Sequence, residues 1–287
     1  RSTANDTCRS HARKCGCVRL GTRRKIYCPL IMLMTSLTSP QYPAKEGGTI
    51  PGELVHGVEE QGIMDGPATC YPIHGVKEQG IMDGSATCNK RRWWRFGSWN
   101  VGTMNKKSVE VADELWRRKV DVCAVQETRW KGERTRFVGA AGERYKFWWK
   151  GDDGSGGVGI MVKEELVDKV IAVERKSDRV IVVVMSFGKV MVRVISAYAP
   201  QQSRKEEEKV KFYDDISEVI SQVGPDEFVV LLGDFNGHVG RNADGYEGVH
   251  GGFGYGERND EGRRLLELAD AHGMVVGNTL FTRSLER

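Results

Sequence analysis

Cysteine is scarce where the sequence is most patterned. Cys8, Cys15, Cys17, Cys28, Cys70 and Cys88 precede residue 93, and only Cys123 follows it. No two form a Cys-x-x-Cys pair, which excludes the usual zinc-finger and zinc-ribbon spacings. A single thiol after residue 92 excludes a disulfide scaffold there and points to a reducing compartment. Long apolar runs are also missing. "IYCPLIMLM" after Arg23-Arg24-Lys25 superficially resembles a signal peptide's charged and apolar regions. It is too short to span a bilayer, lies well inside the chain and contains a proline. It reads as a chance hydrophobic patch, and no membrane association is expected. Charge of one sign is lacking too. Residues 1–92 hold 13 Lys+Arg against 8 Asp+Glu, and the remainder holds 30 against 31, within a total of +4. The second part is therefore not a basic nucleic-acid binder by bulk composition. Any phosphate binding there has to come from a local site or patch.

Residues 1–92 also lack sustained periodicity at 3.6 or 2. They do contain a direct repeat: "HGVEEQGIMDGPATC" from His56 returns as "HGVKEQGIMDGSATC" from His74. Two copies fall short of the three or more units that a solenoid needs. Residues 1–92 are therefore expected to be a poorly ordered tail, with copies at 56–73 and 74–91, ahead of a domain over 93–287. The start at Arg1, without methionine, suggests a fragment.

From Trp93 the texture changes. "WRFGSWNVG" predicts a strand ending at Asn100, and 106–119 carries Val109, Ala112, Leu115 and Trp116 at helical spacing. "VDVCAVQE" is an apolar run ending in Glu127, and "GGVGIMV" is another strand. "RVIVVVMSF" and "KVMVRVISAYA" flank Gly188-Lys189 as a hairpin. Residues 204–222 form an amphipathic helix ended by Gly224-Pro225. "EFVVLL" leads into Gly233-Asp234-Phe235-Asn236. "NDEGRRLLELADAHG" is a helix capped by Asn259 or Asp260 and ended by Gly273, and "MVVGNTLF" is a last strand. This is a mixed α/β plan with fully buried strands, and two sheets packed together fit it.

Polar residues stand where apolar runs stop: Asn100, Glu127, Tyr198, Asp234 and Asn236. Strand ends are where α/β proteins build sites. Glu127 is a hard oxygen ligand suited to Mg²⁺, and Asp234 can accept a proton from water or ligate metal. If the strand continues, Asn236 points to the same side as Asp234, and its amide can donate to a phosphate oxygen. That division of labour suits phosphodiester hydrolysis. Taken singly, each has a plainer reading. Asp-Phe-Asn-Gly is a common turn, Glu127 a solvated strand end and Tyr198 a rim residue. Lys90-Arg91-Arg92-Trp93-Trp94-Arg95 either meets nucleic acid by charge and stacking or packs its tryptophans at the start of the first strand. Cys123, inside an apolar run, reads as core.

"WNVGTM", "DVCAVQETRWKG", "GGVGIMV", "ISAYAPQ", "LLGDFNGHVG" and "GERNDEGRRLLELA", in that order, resemble the endonuclease/exonuclease/phosphatase superfamily over about residues 96–282. The wording is similar to the apurinic-type endonuclease domain of non-LTR retrotransposons and to the craniofacial development protein 2-like group. The resemblance implies a four-layer α/β sandwich, two packed mixed β-sheets flanked by helices. It implies hydrolysis of phosphodiesters in DNA with Mg²⁺ or Mn²⁺, and an intracellular setting, nuclear ahead of cytoplasmic. It assigns Glu127 as the metal carboxylate and Asn100 as its support. It assigns Asp234 to the attacking water, Asn236 to the phosphate, and Tyr198 beside that phosphate. It also implies a closing strand with an Asp-His pair whose histidine contacts the phosphate. No such pair follows "NTLFTR", and His238, His250 and His272 do not obviously replace it. The domain is therefore expected to be C-terminally truncated, with an unpaired sheet edge. Three functions remain open: a DNA endonuclease, a non-catalytic remnant that binds nucleic acid or protein, and a phosphatase acting on a small molecule.

Overall fold

The apolar runs after residue 93 are hydrophobic on both sides, so each needs cover on both faces. The computed structural model describes residues 30–35, 71–72, 94–188, 190–224 and 227–280. Apart from Tyr71–Pro72, the tandem repeat lies outside these residues, as do the six early cysteines and Trp93. In chain order the elements are β1 (Leu30–Thr35), β2 (Tyr71–Pro72), β3 (Arg95–Asn100), α1 (Ser108–Arg117), β4 (Val122–Gln126), β5 (Gly132–Val138), β6 (Tyr145–Gly151), β7 (Val158–Lys163), β8 (Val170–Ser177), β9 (Val180–Phe187), β10 (Val190–Tyr198), α2 (Glu206–Ser221), β11 (Glu227–Asp234), β12 (Val239–Gly240), β13 (Tyr255–Arg258), α3 (Asp260–Ala271) and β14 (Met274–Val276).

Two mixed six-stranded sheets result. The first has the order β2-β3-β4-β7-β6-β5 and the second β14-β1-β11-β10-β9-β8. Each contains one parallel pair, β3 with β4 and β10 with β11. Alternation along the strands sorts their side chains into layers. Val122 and Ala124 share the inter-sheet core with Ile160, Val183, Val230 and Leu232. Cys123 and Val125 turn the other way, towards Ala112 and Leu115 of α1. On the far side of the second sheet, Ile195 and Leu231 pack with Ile216 of α2 and Leu265 of α3. The order of layers is thus α1, sheet, sheet, α2 with α3, the expected four-layer sandwich. Each fully buried Val, Leu or Ile contributes about 1.5–3 kcal/mol by leaving water.

The sheets take in chain from both sides of residue 93. Leu30–Thr35, from the run that read as a chance patch, is a strand pairing antiparallel with β11, Leu30 opposite Asp234 and Met34 opposite Val230. Its other edge pairs with β14, and β2 pairs with β3 at the edge of the first sheet. The backbone groups of β11 on that side are thereby hydrogen-bonded within the sheet. Trp94 is buried and packs its ring 4.5 Å from that of Phe187, the second of the two readings offered for the tryptophans.

The helix after the Gly-rich loop begins as its sequence predicts. The Asn259 side chain accepts from the Gly262 backbone at 2.9 Å and also from the His238 backbone at 2.8 Å. One residue thus caps α3 and ties the loop after Asp234 to it. Asn259→Ala should lower stability by about 1 kcal/mol, measured as a fall in the urea midpoint at unchanged slope.

Candidate active site

The site grows out of the inter-sheet core by the period of the strands. Four rows of inward-facing positions start apolar and end polar: Phe96-Ser98-Asn100, Val122-Ala124-Gln126, Val194-Ser196-Tyr198 and Val230-Leu232-Asp234. The parallel registers set Asn100 opposite Gln126, next to Glu127, and Tyr198 opposite Asp234. The two parallel pairs therefore deliver their C-terminal ends to one rim. One layer down, Ser98 donates to Gln126 Oε1 at 3.1 Å, and Gln126 Nε2 donates to Ser196 Oγ at 3.2 Å. All three are buried. This chain of hydrogen bonds crosses from one sheet to the other and fixes their alignment beneath the rim.

Asn100 sits at the centre. Its amide nitrogen donates to Glu127 Oε1 at 2.9 Å and to Asp234 Oδ2 at 2.8 Å, and its oxygen accepts from the Gly102 backbone at 3.0 Å. Both amide hydrogens are committed, so Asn100 holds the two carboxylates at a set spacing. Glu127 Oε1 also accepts from the Tyr198 hydroxyl at 3.1 Å, and Oε2 pairs with Arg129 at 3.0 Å. Asp234 Oδ1 accepts from the Asn236 backbone at 3.0 Å. Four of the five sequence-derived residues, Asn100, Glu127, Tyr198 and Asp234, thus share one hydrogen-bonded cluster.

Asn236 is arranged differently from the strand-continuation expectation. The strand stops at Asp234, and Asn236 has a left-handed φ of +48°. Its side chain donates to the Ala199 carbonyl at 2.9 Å. One amide hydrogen holds the motif turn against the end of β10, and the other is available to a ligand. Glu127 and Arg129 are also left-handed, with φ +54° and +53°, a conformation costly for non-glycine residues. The Thr128 and Arg129 backbones donate to the carbonyls of Gly157 and Gly156, which holds this bend in place. A Cβ at Gly157 would lie 2.6 Å from Thr128 Oγ1, so the glycine stretch before β7 admits the bend.

Burial raises the Asp234 carboxyl above its ordinary range. The hydrogen bonds from Asn100 and Asn236 oppose this, and the Glu127 charge adds to it. Burial, with the same Glu127 charge, also pushes the Tyr198 phenol up, so it remains a donor at neutral pH. A raised carboxyl makes the native state bind more protons than the unfolded chain just above the ordinary aspartate value of 3.8. Stability is therefore lost as pH rises through that window. In metal-free buffer, the melting temperature of Asp234→Asn relative to wild type should rise as pH rises above that ordinary value. Below it the two should differ by a constant loss, because the asparagine amide can accept through one atom only where Asp234 accepts from both Asn100 and Asn236. A melting difference independent of pH would remove ionised Asp234 as its cause.

The described histidines lie elsewhere in the hydrogen-bond network. His250 is buried, accepting from the Gly252 backbone at Nδ1 and therefore donating to the Gly240 carbonyl from Nε2. His272 pairs with Ser217. No hydrogen bond joins a described histidine to the cluster.

The fold and rim define the class, an α/β sandwich with an acidic centre at the C-terminal ends of two parallel strand pairs. The chain belongs to the Endonuclease/Exonuclease/phosphatase family, whose profile matches residues 97–258. Over 194 residues it is 28% identical to Craniofacial development protein 2 of Bos taurus, covering 67% of this chain and 32% of that protein. The chain thus spans about a third of the length of that curated relative. Among solved structures it is similar to an AP endonuclease from Archaeoglobus fulgidus, with TM-score 0.44 and 19% identity over 62% of this chain and 70% of that one. It is also similar to the endonuclease domain of TRAS1, a telomere-specific non-LTR retrotransposon, with TM-score 0.41 and 20% identity over 62% and 70% of the two chains.

Proposed function

We propose that this chain carries a phosphodiesterase centre that depends on Mg²⁺ or Mn²⁺ and hydrolyses DNA. The observation that supports it is the cluster itself: two carboxylates, Glu127 and Asp234, held by the same Asn100 amide nitrogen at 2.9 and 2.8 Å. The donor set fits a hard cation that takes one or two carboxylates and keeps several waters. Glu127 would hold it, and Asn100 would keep the second carboxylate in place. Bound there, the ion would neutralise charge developing on the phosphoryl oxygens.

The remaining work falls to the chain's own groups. Tyr198 keeps its one proton on Glu127 and so fixes the orientation of that carboxylate. Asp234 accepts a proton from the attacking water. Asn236 offers its second amide hydrogen to a phosphoryl oxygen. Supercoiled plasmid with Mg²⁺ should be converted to open circles, EDTA should stop the reaction, and Asp234→Ala should abolish it. Intact plasmid with either ion would overturn the reading. Phosphate release from small monoesters without nicking would move the activity to the phosphatase class.

A further inference from the structure

The segment that follows Glu127 leads into a cavity of about 460 Å³ on the first sheet, lined among others by Arg129, Trp130, Lys131, Arg134, Arg136 and Trp149. Its outer wall is β5, the outermost strand of that sheet, whose first six residues are exposed. Arg134 and Arg136 are two apart and lie on one face of β5. Glu133, on the other face, pairs with Lys150 at the neighbouring strand. The strand thus turns its two arginines to the cavity and its acid away. Arg136 lies 4.2 Å over the Trp130 ring, which meets Trp149 edge-on at 4.9 Å. This stack forms one wall of the cavity. Arg129 joins the cavity to the carboxylate cluster, because it lines the one and pairs with Glu127 in the other. Its Nε is buried with no hydrogen-bond partner. Among the described residues, none of the other three cations has an ion-pair partner, and no carboxylate lines the cavity.

We propose that this cavity binds the phosphate backbone of the DNA strand continuing past the scissile phosphodiester. The inference rests on the phosphodiesterase reading and adds the place on this chain where the strand flanking the scissile phosphate is held. One phosphate at the cluster needs no further cations, whereas a strand carries a charge at every nucleotide. Arg129, Lys131, Arg134 and Arg136 supply counter-charge beyond the cluster, in a domain whose bulk composition has no cationic excess.

The test is fluorescence anisotropy of a labelled DNA duplex with the full chain in EDTA, where no hydrolysis occurs, across a salt series. Arg134→Gln combined with Arg136→Gln should weaken binding. It should also flatten the plot of log affinity against log salt by about 1.8, or about 0.9 per lost phosphate contact. Lys150→Gln, on β6 beside Glu133 and away from the cavity, should leave the slope unchanged. With Mg²⁺, the double variant should hydrolyse bis(p-nitrophenyl) phosphate, a diester with no flanking strand, at the wild-type rate. If circular dichroism shows the double variant unfolded, Lys131→Gln alone should flatten the slope by about 0.9. A slope and affinity unchanged in folded variants would overturn the proposal. So would absence of duplex binding by a wild type that hydrolyses the small diester. Weakened duplex binding without hydrolysis of either substrate would uphold the strand site and sink the phosphodiesterase reading alone.

Discussion

Glu127→Gln should lower Mg²⁺-dependent plasmid nicking by about 10²–10³-fold, the scale of losing one preorganised electrostatic group at a reacting centre. The substitution keeps the shape and removes the charge. The amide can still accept from Asn100 and Tyr198 through its oxygen, but its nitrogen then faces the Arg129 guanidinium, where Oε2 now pairs at 3.0 Å. The fold should survive, because the neighbouring inter-sheet bonds run through Ser98, Gln126 and Ser196 and do not involve Glu127. The measurement is the single-turnover nicking rate across a Mg²⁺ titration, alongside a thermal melt. Nicking at the wild-type rate would remove Glu127 from the reaction. A collapsed melting temperature would assign it a structural role instead.

Gly233→Ala should be the most damaging small substitution in the motif. Gly233 pairs with Ala197 in the parallel β10–β11 register, and a Cβ there would lie 2.1 Å from the Ala197 carbonyl oxygen and 2.9 Å from its carbon. Both contacts are backbone, so no side-chain rotation relieves them. The strands must separate one residue before Tyr198 and Asp234, the pair they deliver to the rim. Overpacking of this kind costs about 1–3 kcal/mol, and the misplaced carboxylate should carry nicking down with it. Gly248→Ala is the control, since nothing lies within 4 Å of a Cβ there. Equal urea midpoints for the two variants would show that β10 and β11 part without cost.

Much of the site was legible because strand alternation is a local property. An inward row that begins with Val230 and Leu232 has to place Asp234 on the same side, and the row through Val194 does the same for Tyr198. The same rule failed at Asn236, because the strand ends and a left-handed residue breaks the period. Gln126, Ser98 and Ser196 were missed, although each is a polar residue on an inward position of an otherwise apolar row. β5 escaped because "GERTRFV" is mostly exposed and has no apolar alternation to show. Arg129 and the cavity beside it went unread for the same reason: a basic residue in a loop has no periodicity to mark it.

By itself the sequence determined the buried strands β3, β4, β7, β9, β10 and β11, and that polar ends among them carry carboxylate, amide and phenol groups. Those follow from hydrophobic period and chain-local turn chemistry, which need no partner to be specified. Only the tertiary structure decided which ends meet. Asn100 reaches Asp234 across 134 residues of chain, and Leu30 pairs opposite Asp234 from the other side of residue 93. A six-residue apolar run such as β1 satisfies many neighbours equally well. Its place is set by which open sheet edge the packed layers leave beside it, a property of the whole fold.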